Sequence, residues 1–417
     1  MILVNDVRLP LDTDFNNLKN AVRYKGVNIK SVKLFRKSVD ARRKSDIFFC
    51  CSLLIETDND TVAVKKIKNS KIYEEPKYTY KKCDKSGIKR PLVVGFGPAG
   101  IFAAYTLAKA GLCPIVLERG RDVDSRTADV LNFWQGGQLN PESNVQFGEG
   151  GAGTFSDGKL TTGIKDIRLR EVLKVFVAHG APRNILYDAK PHIGTDVLAT
   201  VIKNIREEII SLGGEVRFEN KLEKINSENG RLLSIDVSGE KEYRLDCDKL
   251  ILAIGHSARD TFYMLRDENF SMIKKPFAVG VRIEHPQDMI NRALYGDFAG
   301  SPALSAADYK LAVHLENGRG VYTFCMCPGG FVVNASSEEG MTAVNGMSYM
   351  ARDGENANSA LLTEVLPDDL GEDILSGIEL QREIEKKAFK ITNGKAVPVS
   401  TVSRYLYKRD SSPIVTP

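Results

Sequence analysis

The sequence predicts an α/β protein built around a parallel sheet with a β-hairpin or meander, plus a second α+β domain and a small N-terminal α+β domain. Three observations lead to this expectation. From Pro91 onward, an apolar strand, a helix and a second apolar strand follow one another, which is the order that a parallel sheet requires. Strand-like segments joined by an Asn229–Gly230 turn occupy 216–255, as expected of a hairpin. The balance of charge also changes along the chain.

The domain boundaries rest on length and charge. A chain of 417 residues exceeds what a single hydrophobic core usually organises. Residues 1–90 hold 21 Lys and Arg against 11 Asp and Glu, whereas the remainder is mildly acidic, with 37 against 43. We therefore expect a small basic α+β domain at 1–80, a linker at 81–90, a dinucleotide-binding domain at 91–270 and an α+β substrate-side domain at 271–417.

The periodicity of individual segments predicts their secondary structure. In the N-terminal domain, MILVNDVRL, IKSVKLFRKSVD and DIFFCCSLLIETD read as strands, and FNNLKNAVRYKG reads as an amphipathic helix ending at Gly26. Further along, helices are predicted at 167–180, at 195–212 and near 379–390. The segment EYRLDCDKLILAIG is predicted to form one strand that ends at Gly255.

Composition indicates the cellular compartment in which the protein is expected to work. No apolar run approaches the roughly 20 residues that span a bilayer, and the N-terminus lacks the pattern of a signal peptide. The seven cysteines are odd in number and scattered, which favours reduced thiols over a disulfide framework. These observations predict a cytoplasmic protein with no membrane partner. The five histidines lack metal-binding spacing, so we expect no metal site.

The most informative motif is V-V-G-F-G-P-A-G at 93–100, with Gly95, Gly97 and Gly100 in G-x-G-x-x-G spacing. Glycine triplets also occur by chance, but this one follows an apolar strand and opens a helix, as a Rossmann-like dinucleotide site needs. Gly95 can make the tight turn, Gly97 lets the backbone approach a pyrophosphate, and Gly100 lets the helix pack on the strand. The pyrophosphate would lie at the helix N-terminus, beside Pro98 and Ala99.

Two further features extend this site. Glu118 ends the second strand, where its carboxylate is placed to bind ribose hydroxyls and disfavours a 2′-phosphate. A dense glycine cluster within 146–163 allows close approach of backbone to a ligand; a flexible surface loop is the alternative. The predicted cofactor-binding residues are Gly95, Gly97, Pro98, Ala99, Gly100, Glu118, Arg119, Gly150, Gly151, Gly153 and Gly255.

The chain resembles a bacterial family of FAD-dependent (NAD/FAD-utilising) dehydrogenases that carry a basic N-terminal domain. The motifs behind the resemblance span nearly the whole chain: S-V-D-A-R-R-K at 38–44, L-E-R-G at 117–120, F-G-E-G-G-A-G-T-F-S-D-G-K-L at 147–160, A-I-G-H-S-A-R-D at 253–260, F-A-V-G-V-R-I-E-H-P at 277–286 and F-C-M-C-P-G-G at 324–330. The L-E-R-G motif also resembles the adenosine side of glutathione-reductase-type two-domain flavoproteins. The resemblance implies FAD and an oxidoreductase role but no particular substrate.

One departure from the family is expected at the end of the chain. Flavoproteins of this architecture close the FAD site with a C-terminal glycine-rich segment, and family members carry it about a hundred residues beyond this point. The sequence ends at KRDSSPIVTP without such a segment. This departure concerns the flavin-ring end of the site, whereas Gly95–Glu118 supply the adenosine end.

Candidates for catalysis are less specific. Lys159 lies on the glycine-rich segment, where a lysine could stabilise a reduced anionic flavin. Cys325 and Cys327 in C-M-C would share one face of a strand, yet buried core thiols would show the same pattern. The remaining candidates stand beside recognised motifs and are His256, Arg259 and Arg282.

Three functions fit these patterns. The first is an FAD-dependent oxidoreductase that moves a hydride between a small molecule and the flavin, with any NAD(P)H binding transiently because a second fingerprint is missing. An NAD-dependent dehydrogenase could use the same motif. A non-catalytic nucleotide- or RNA-associated protein would explain the basic segment 33–44. Charge runs are more often solvated faces, so we expect no nucleic acid partner.

Overall fold

A computed structural model describes residues 1–84, 87–394 and 396–408, and the backbone of 414–416. The N-terminal part is a four-stranded antiparallel sheet with strand order β2-β3-β1-β4. Its elements are β1 (Ile2–Leu9), α1 (Leu18–Ala21), β2 (Ile29–Asp40), β3 (Phe48–Thr57), α2 (Asp60–Lys66) and β4 (Ser70–Ile72). Alternate residues of β3 are buried, because side chains on a strand point to opposite faces. Ile2, Leu53 and Ile55 lie at the centre of this core.

The middle of the chain contains the parallel sheet, with strand order β11-β5-β6-β7. Its strands are short and their residues largely apolar, as expected of a sheet covered on both faces. Its elements are β5 (Leu92–Val94), α3 (Pro98–Ala110), β6 (Ile115–Leu117), α4 (Val123–Trp134), α5 (Ile167–Ala178), α6 (Thr195–Ser211), β7 (Glu215–Arg217), β8 (Lys221–Glu228), β9 (Arg231–Ser238), β10 (Tyr243–Asp246) and β11 (Leu250–Leu252). Helices α3 and α6 pack on one face, and the meander β8–β10 packs on the other.

The C-terminal part is organised by a four-stranded antiparallel sheet with order β12-β17-β14-β13. Its elements are α7 (Arg259–Asp267), β12 (Phe277–Pro286), α8 (Gln287–Tyr295), β13 (Ala312–His314), β14 (Gly320–Cys327), β15 (Phe331–Asn334), β16 (Val344–Met347), β17 (Asn356–Val365), α9 (Ser376–Thr392), β18 (Val397–Val399), α10 (Val402–Tyr407) and β19 (Ile414–Thr416). Strands β15 and β16 pair with each other, as do β18 and β19.

The predicted fold class, α/β with a parallel sheet and antiparallel companions, is confirmed. The helices predicted at 167–180 and 195–212 correspond to α5 and α6. Part of the predicted linker 81–90 (residues 85 and 86) and part of the chain end (409–413 and 417) lie outside the described residues. Within the part of the chain that is described, no helix combines the length and apolarity needed to cross a bilayer.

Two segment predictions were wrong. The helix expected over FNNLKNAVRYKG is reduced to a 3₁₀ turn and the four residues of α1. Val22 already has extended backbone and its side chain joins the core of the N-terminal sheet. The strand expected at 242–255 is two strands, because β10 pairs with β9 whereas β11 pairs in parallel with β5.

Candidate cofactor site

The three glycines of the first motif have different surroundings. Gly95 follows β5 with φ of +95°, and a Cβ atom there would lie 2.4 Å from the carbonyl oxygen of Ala253. A Cβ at Gly100 would lie 1.8 Å from the carbonyl oxygen of Gly95. In contrast, the nearest atom to a Cβ on Gly97 would be the Cα of Gly151, at 3.6 Å. Gly95 and Gly100 are therefore required by the packing of β5, α3 and β11, whereas Gly97 leaves space for a ligand.

A cavity of about 570 Å³ opens at this turn. It lies at the N-terminus of α3, where Gly97 is the N-cap and Pro98 occupies the first turn. The first amide groups of a helix have no intrahelical partner, and they favour an anion. The predicted binding residues that line the cavity are Gly95, Gly97, Pro98, Ala99, Glu118, Arg119, Gly151, Gly153 and Gly255. Gly100 and Gly150 are not among the lining residues.

Glu118 is one of the residues that line the cavity, and it is only 4% exposed. Its Oε2 accepts a hydrogen bond from the Phe96 amide at 2.7 Å. Its Oε1 accepts from the amides of Gly120 and Gly148 at 2.9 and 3.0 Å. A carboxylate has about four acceptor positions, so Oε2 retains one for a ligand hydroxyl. The side chain predicted to bind ribose is thus also the one that holds three backbone segments in place.

Arg119 also lines the cavity. Its guanidinium lies over the ring of Phe147, with 4.3 Å between the guanidinium carbon and the ring centroid. It donates to both carboxylate oxygens of Asp260 at 2.9 and 2.8 Å and to Glu142 at 2.5 Å. Because paired donors of this kind fix the plane of the guanidinium, Arg119 offers a flat, preoriented surface to a ligand in the cavity.

The second glycine cluster packs directly on the first turn. The Gly150 amide donates to the Phe96 carbonyl at 2.9 Å, and a Cβ on Gly151 would lie 2.9 Å from the Cα of Gly97. A Cβ on Gly150 would instead meet the Thr154 hydroxyl at 2.0 Å. Gly151 therefore forms part of the cavity wall, whereas Gly150 is required by the close packing against Thr154.

Arg126 is a buried residue that the sequence argument missed. It comes from α4, is 0% exposed and donates to four carbonyl groups, those of Asn144, Val145, Gly148 and Glu149, at 2.8, 3.0, 3.3 and 2.6 Å. Burial lowers the pKa of Arg126 to about 10, against the opposing charges of Glu118 and Glu149. It stays charged at neutral pH and fixes the loop that carries Phe147 and Gly148. Its partners are backbone groups, which leave no pattern in the sequence.

The catalytic candidates fall into three places. His256 lines the cavity, and desolvation by the surrounding protein, followed by the charge of Arg259, holds its pKa below the usual value even though part of the ring is exposed. Arg259 does not line the cavity and pairs with Glu338 and Glu385. The other candidates form a separate cluster away from the cavity lining, made of Lys159, Arg282, Cys325 and Cys327. Among the described residues, no group of His, Cys, Asp and Glu side chains has the arrangement of a metal site.

Comparisons with known proteins agree with a flavin site. Residues 276–416 match the family model of the FAD-dependent protein, C-terminal domain-like, and residues 1–56 match that of a domain of unknown function. An uncharacterized protein of Clostridium beijerinckii is 50% identical over 423 residues, which cover 99% of this chain and 78% of that protein. The match to the FAD-dependent family model supports FAD as the cofactor.

Solved structures resemble the chain only loosely. A glycerol-3-phosphate dehydrogenase from Bacillus halodurans complexed with FAD is 12% identical, over 74% of this chain and 53% of its own, with a TM-score of 0.34. THI4 of Thermovibrio ammonificans is 16% identical, over 44% of this chain and 63% of its own, with a TM-score of 0.29. The chain thus covers less than two thirds of either structure, and these low TM-scores carry no weight for its function.

Proposed function

Because this chain belongs to the family of the Clostridium beijerinckii protein, we propose from its own cavity that it is an FAD-dependent oxidoreductase that transfers a hydride between a small-molecule substrate and the flavin. The observation that carries the proposal is the open space at Gly97, which lies at the N-terminus of α3 between two glycine-rich turns. A backbone cradle that a side chain would fill is what a pyrophosphate requires.

The lining residues fit the two halves of the cofactor. The pyrophosphate would be held by the backbone at Gly97 and by the first amides of α3. The remaining acceptor position on Glu118 would bind a ribose hydroxyl. Arg119, fixed by Asp260 and Glu142, would form the wall on the adenosine side. When bound, FAD supplies the hydride-accepting ring, and the chain supplies binding, orientation and exclusion of water.

The test is the visible absorption of the purified protein, followed by titration with FAD and, separately, with NAD⁺ and NADH. The matched variants are Gly97→Ala, whose methyl group would enter the cavity, and Gly163→Ala, which adds a methyl group in open space away from it. Hydrogen bonds to charged groups contribute about 1.5–3 kcal/mol. We therefore expect Gly97→Ala to weaken FAD binding at least about tenfold, with unchanged thermal stability, and Gly163→Ala to bind as the wild type does.

The outcomes separate the alternatives. Flavin bands that are bleached by dithionite and depend on Gly97 would support the proposal. A colourless protein that ignores FAD but binds NAD⁺ in a Gly97-dependent manner would favour the NAD-dependent dehydrogenase. Binding of neither cofactor would overturn the oxidoreductase proposal and leave a non-catalytic protein as the better account.

A further inference from the structure

A bulge interrupts β14 where its two cysteines lie. The register between β14 and β17 shifts between Phe324 and Cys327. Over this stretch β14 therefore contains one residue more than β17, which is a β-bulge. Cys325 has φ of +46°, a left-handed conformation that is uncommon for residues other than glycine and persists only where the surroundings enforce it. The bulge therefore gives Cys325 and Cys327 a geometry that a regular strand does not have.

Two cations converge on this bulge from other elements. From β12, the Arg282 guanidinium donates to the Cys325 carbonyl at 2.7 Å and lies 3.6 Å from the Cys327 sulfur. From the glycine-rich segment, the Lys159 ammonium donates to the Met326 carbonyl and pairs with Asp157 at 2.7 Å. Asp157 is the nearby acid, but it is also paired with Arg352 and accepts from Ser348. The surroundings of the thiols are thus electropositive.

The two thiols are unequal. Cys327 is 0% exposed, whereas Cys325 is partly accessible. The neighbouring Cys327 thiol, which donates to the Cys325 carbonyl at 3.2 Å, and the charges of Lys159 and Arg282 together outweigh burial and lower the pKa of Cys325. The same hydrogen bond and burial raise the pKa of Cys327. The accessible Cys325 sulfur therefore gives up its proton more readily than the buried Cys327 sulfur beside it. A thiolate is the nucleophilic form of cysteine.

We propose that Cys325 and Cys327 form a redox-active dithiol that reduces a hydroperoxide and closes to a disulfide. The Cys325 thiolate attacks the peroxide oxygen, the O–O bond breaks, and one oxygen leaves as an alcohol or water after taking up a proton. This produces a sulfenic acid on Cys325. Cys327 then attacks that sulfur, a disulfide forms, and water leaves. The two thiols lose two electrons in total, and the peroxide gains them. None of these side chains lines the proposed FAD cavity, so this inference stands apart from the FAD proposal.

The first readout is alkylation by iodoacetamide at a series of pH values, followed by mass spectrometry of peptides. Cys83, which is exposed, is the internal reference in the same sample. Because its pKa is lowered, we expect Cys325 to react about tenfold faster than Cys83 near pH 6.5 and to reach its half-maximal rate at a lower pH than Cys83 does. A Cys325 rate that is slower than that of Cys83 and rises in parallel with it would overturn the proposal.

The second readout uses hydrogen peroxide as the probe, with dimedone to trap sulfenic acid. The wild type should lose two hydrogens from the peptide that spans 320–330, Cys327→Ser should accumulate a dimedone adduct on Cys325, and Cys325→Ser should show neither product. Cys83→Ser is the control and should behave as the wild type does. Overoxidation of Cys325 in the wild type without a disulfide would contradict the resolving role of Cys327. Since the wild type alone gives this result, it does not depend on the folding of a variant or on bound FAD.

Discussion

At the scale of single residues, the candidate site depends on side chains that bind backbone groups of the protein as well as the ligand. The Glu118 carboxylate binds the amides of Phe96, Gly120 and Gly148, which belong to the first turn, the end of β6 and the glycine-rich loop. Gly97, in contrast, has no side chain that holds other segments, and it contributes its backbone and the open space beside it. Substitutions at these two positions should therefore differ in their effect on stability.

We predict that Glu118→Ala reduces both the free energy of unfolding and the affinity for FAD. Its removal leaves three buried amides without their acceptor, and an unsatisfied buried group costs about 1–3 kcal/mol, so we expect a loss of about 3 kcal/mol or more. Urea unfolding and FAD titration measure the two quantities. Glu228→Ala, at an exposed position at the end of β8, is the matched control and should change neither. A fully stable Glu118→Ala variant would contradict the bracing role.

The sequence could predict some of these residues and not others, for a physical reason. The G-x-G-x-x-G spacing and Glu118 lie on one continuous strand, turn, helix and strand, so their proximity follows from local geometry. Arg126 contacts carbonyl groups eighteen to twenty-three residues away, and carbonyl groups are present in every residue. A role that depends on a loop conformation leaves no residue pattern to detect.

At the scale of elements, helix α4 holds the loop 140–149 in place. Arg126 is the contact between them, and it is enclosed by the carbonyl groups that it binds. The last residue of the loop, Glu149, is itself buried, and burial raises its pKa to about 7. The loop is thus held by a buried cation whose nearby carboxylates are also removed from water.

We predict that Arg126→Met lowers the free energy of unfolding by about 3–5 kcal/mol, because four buried carbonyl groups lose their donor and an unsatisfied buried group costs about 1–3 kcal/mol. The raised pKa of Glu149 also determines the direction in which the stability changes with pH. The folded chain keeps a proton that the unfolded chain releases above about pH 4.5, so the contribution of Glu149 to stability falls as the pH rises towards about 7. Urea unfolding of the wild type and of Arg126→Met near pH 5.5 and pH 8 would measure both effects.

The control for this variant is Arg292→Met, which removes an exposed pair with Asp288 on α8. Exposed helical pairs contribute about 0.3–0.5 kcal/mol, so its stability should stay close to that of the wild type at both pH values. Equal effects of the two substitutions would show that Arg126 is not the residue that holds the loop.

At the scale of the whole molecule, the cavity is connected to the C-terminal part through Arg259. This residue begins α7, directly after the lining residues 255–258. Its guanidinium donates to Glu385 at 2.6 and 3.0 Å, to Glu338 at 3.0 Å and to Gln381 at 3.2 Å. Glu385 and Gln381 lie on α9, within the residues that match the FAD-dependent family model. One buried side chain thus joins the end of the cavity to α9.

The sequence predicts only some of the segments on which this arrangement depends. The helix near 379–390 was predicted from its periodicity, and α9 is present there. The division of 242–255 into β10 and β11 was not predicted, because each half is apolar enough for a strand and only the pairing partners distinguish two strands from one. Contacts between distant segments, such as that of Arg259 with Glu385, have no local pattern at all.

The final prediction is that Arg259→Met loosens α9 and uncouples it from the cavity. The partner carboxylates are partly exposed, so water replaces some of the lost interaction, and we expect a loss of about 2–3 kcal/mol instead of the full cost of an isolated buried charge. Hydrogen exchange should show reduced protection of α9 in the variant. Addition of FAD should increase the protection of α9 in the wild type but not in Arg259→Met, since ligand binding stabilises what is coupled to the site. Arg244→Met, which removes an exposed pair with Asp236 in the meander, should leave α9 unchanged. Equal protection of α9 in the wild type and in Arg259→Met would mean that other contacts hold the C-terminal part against the cavity.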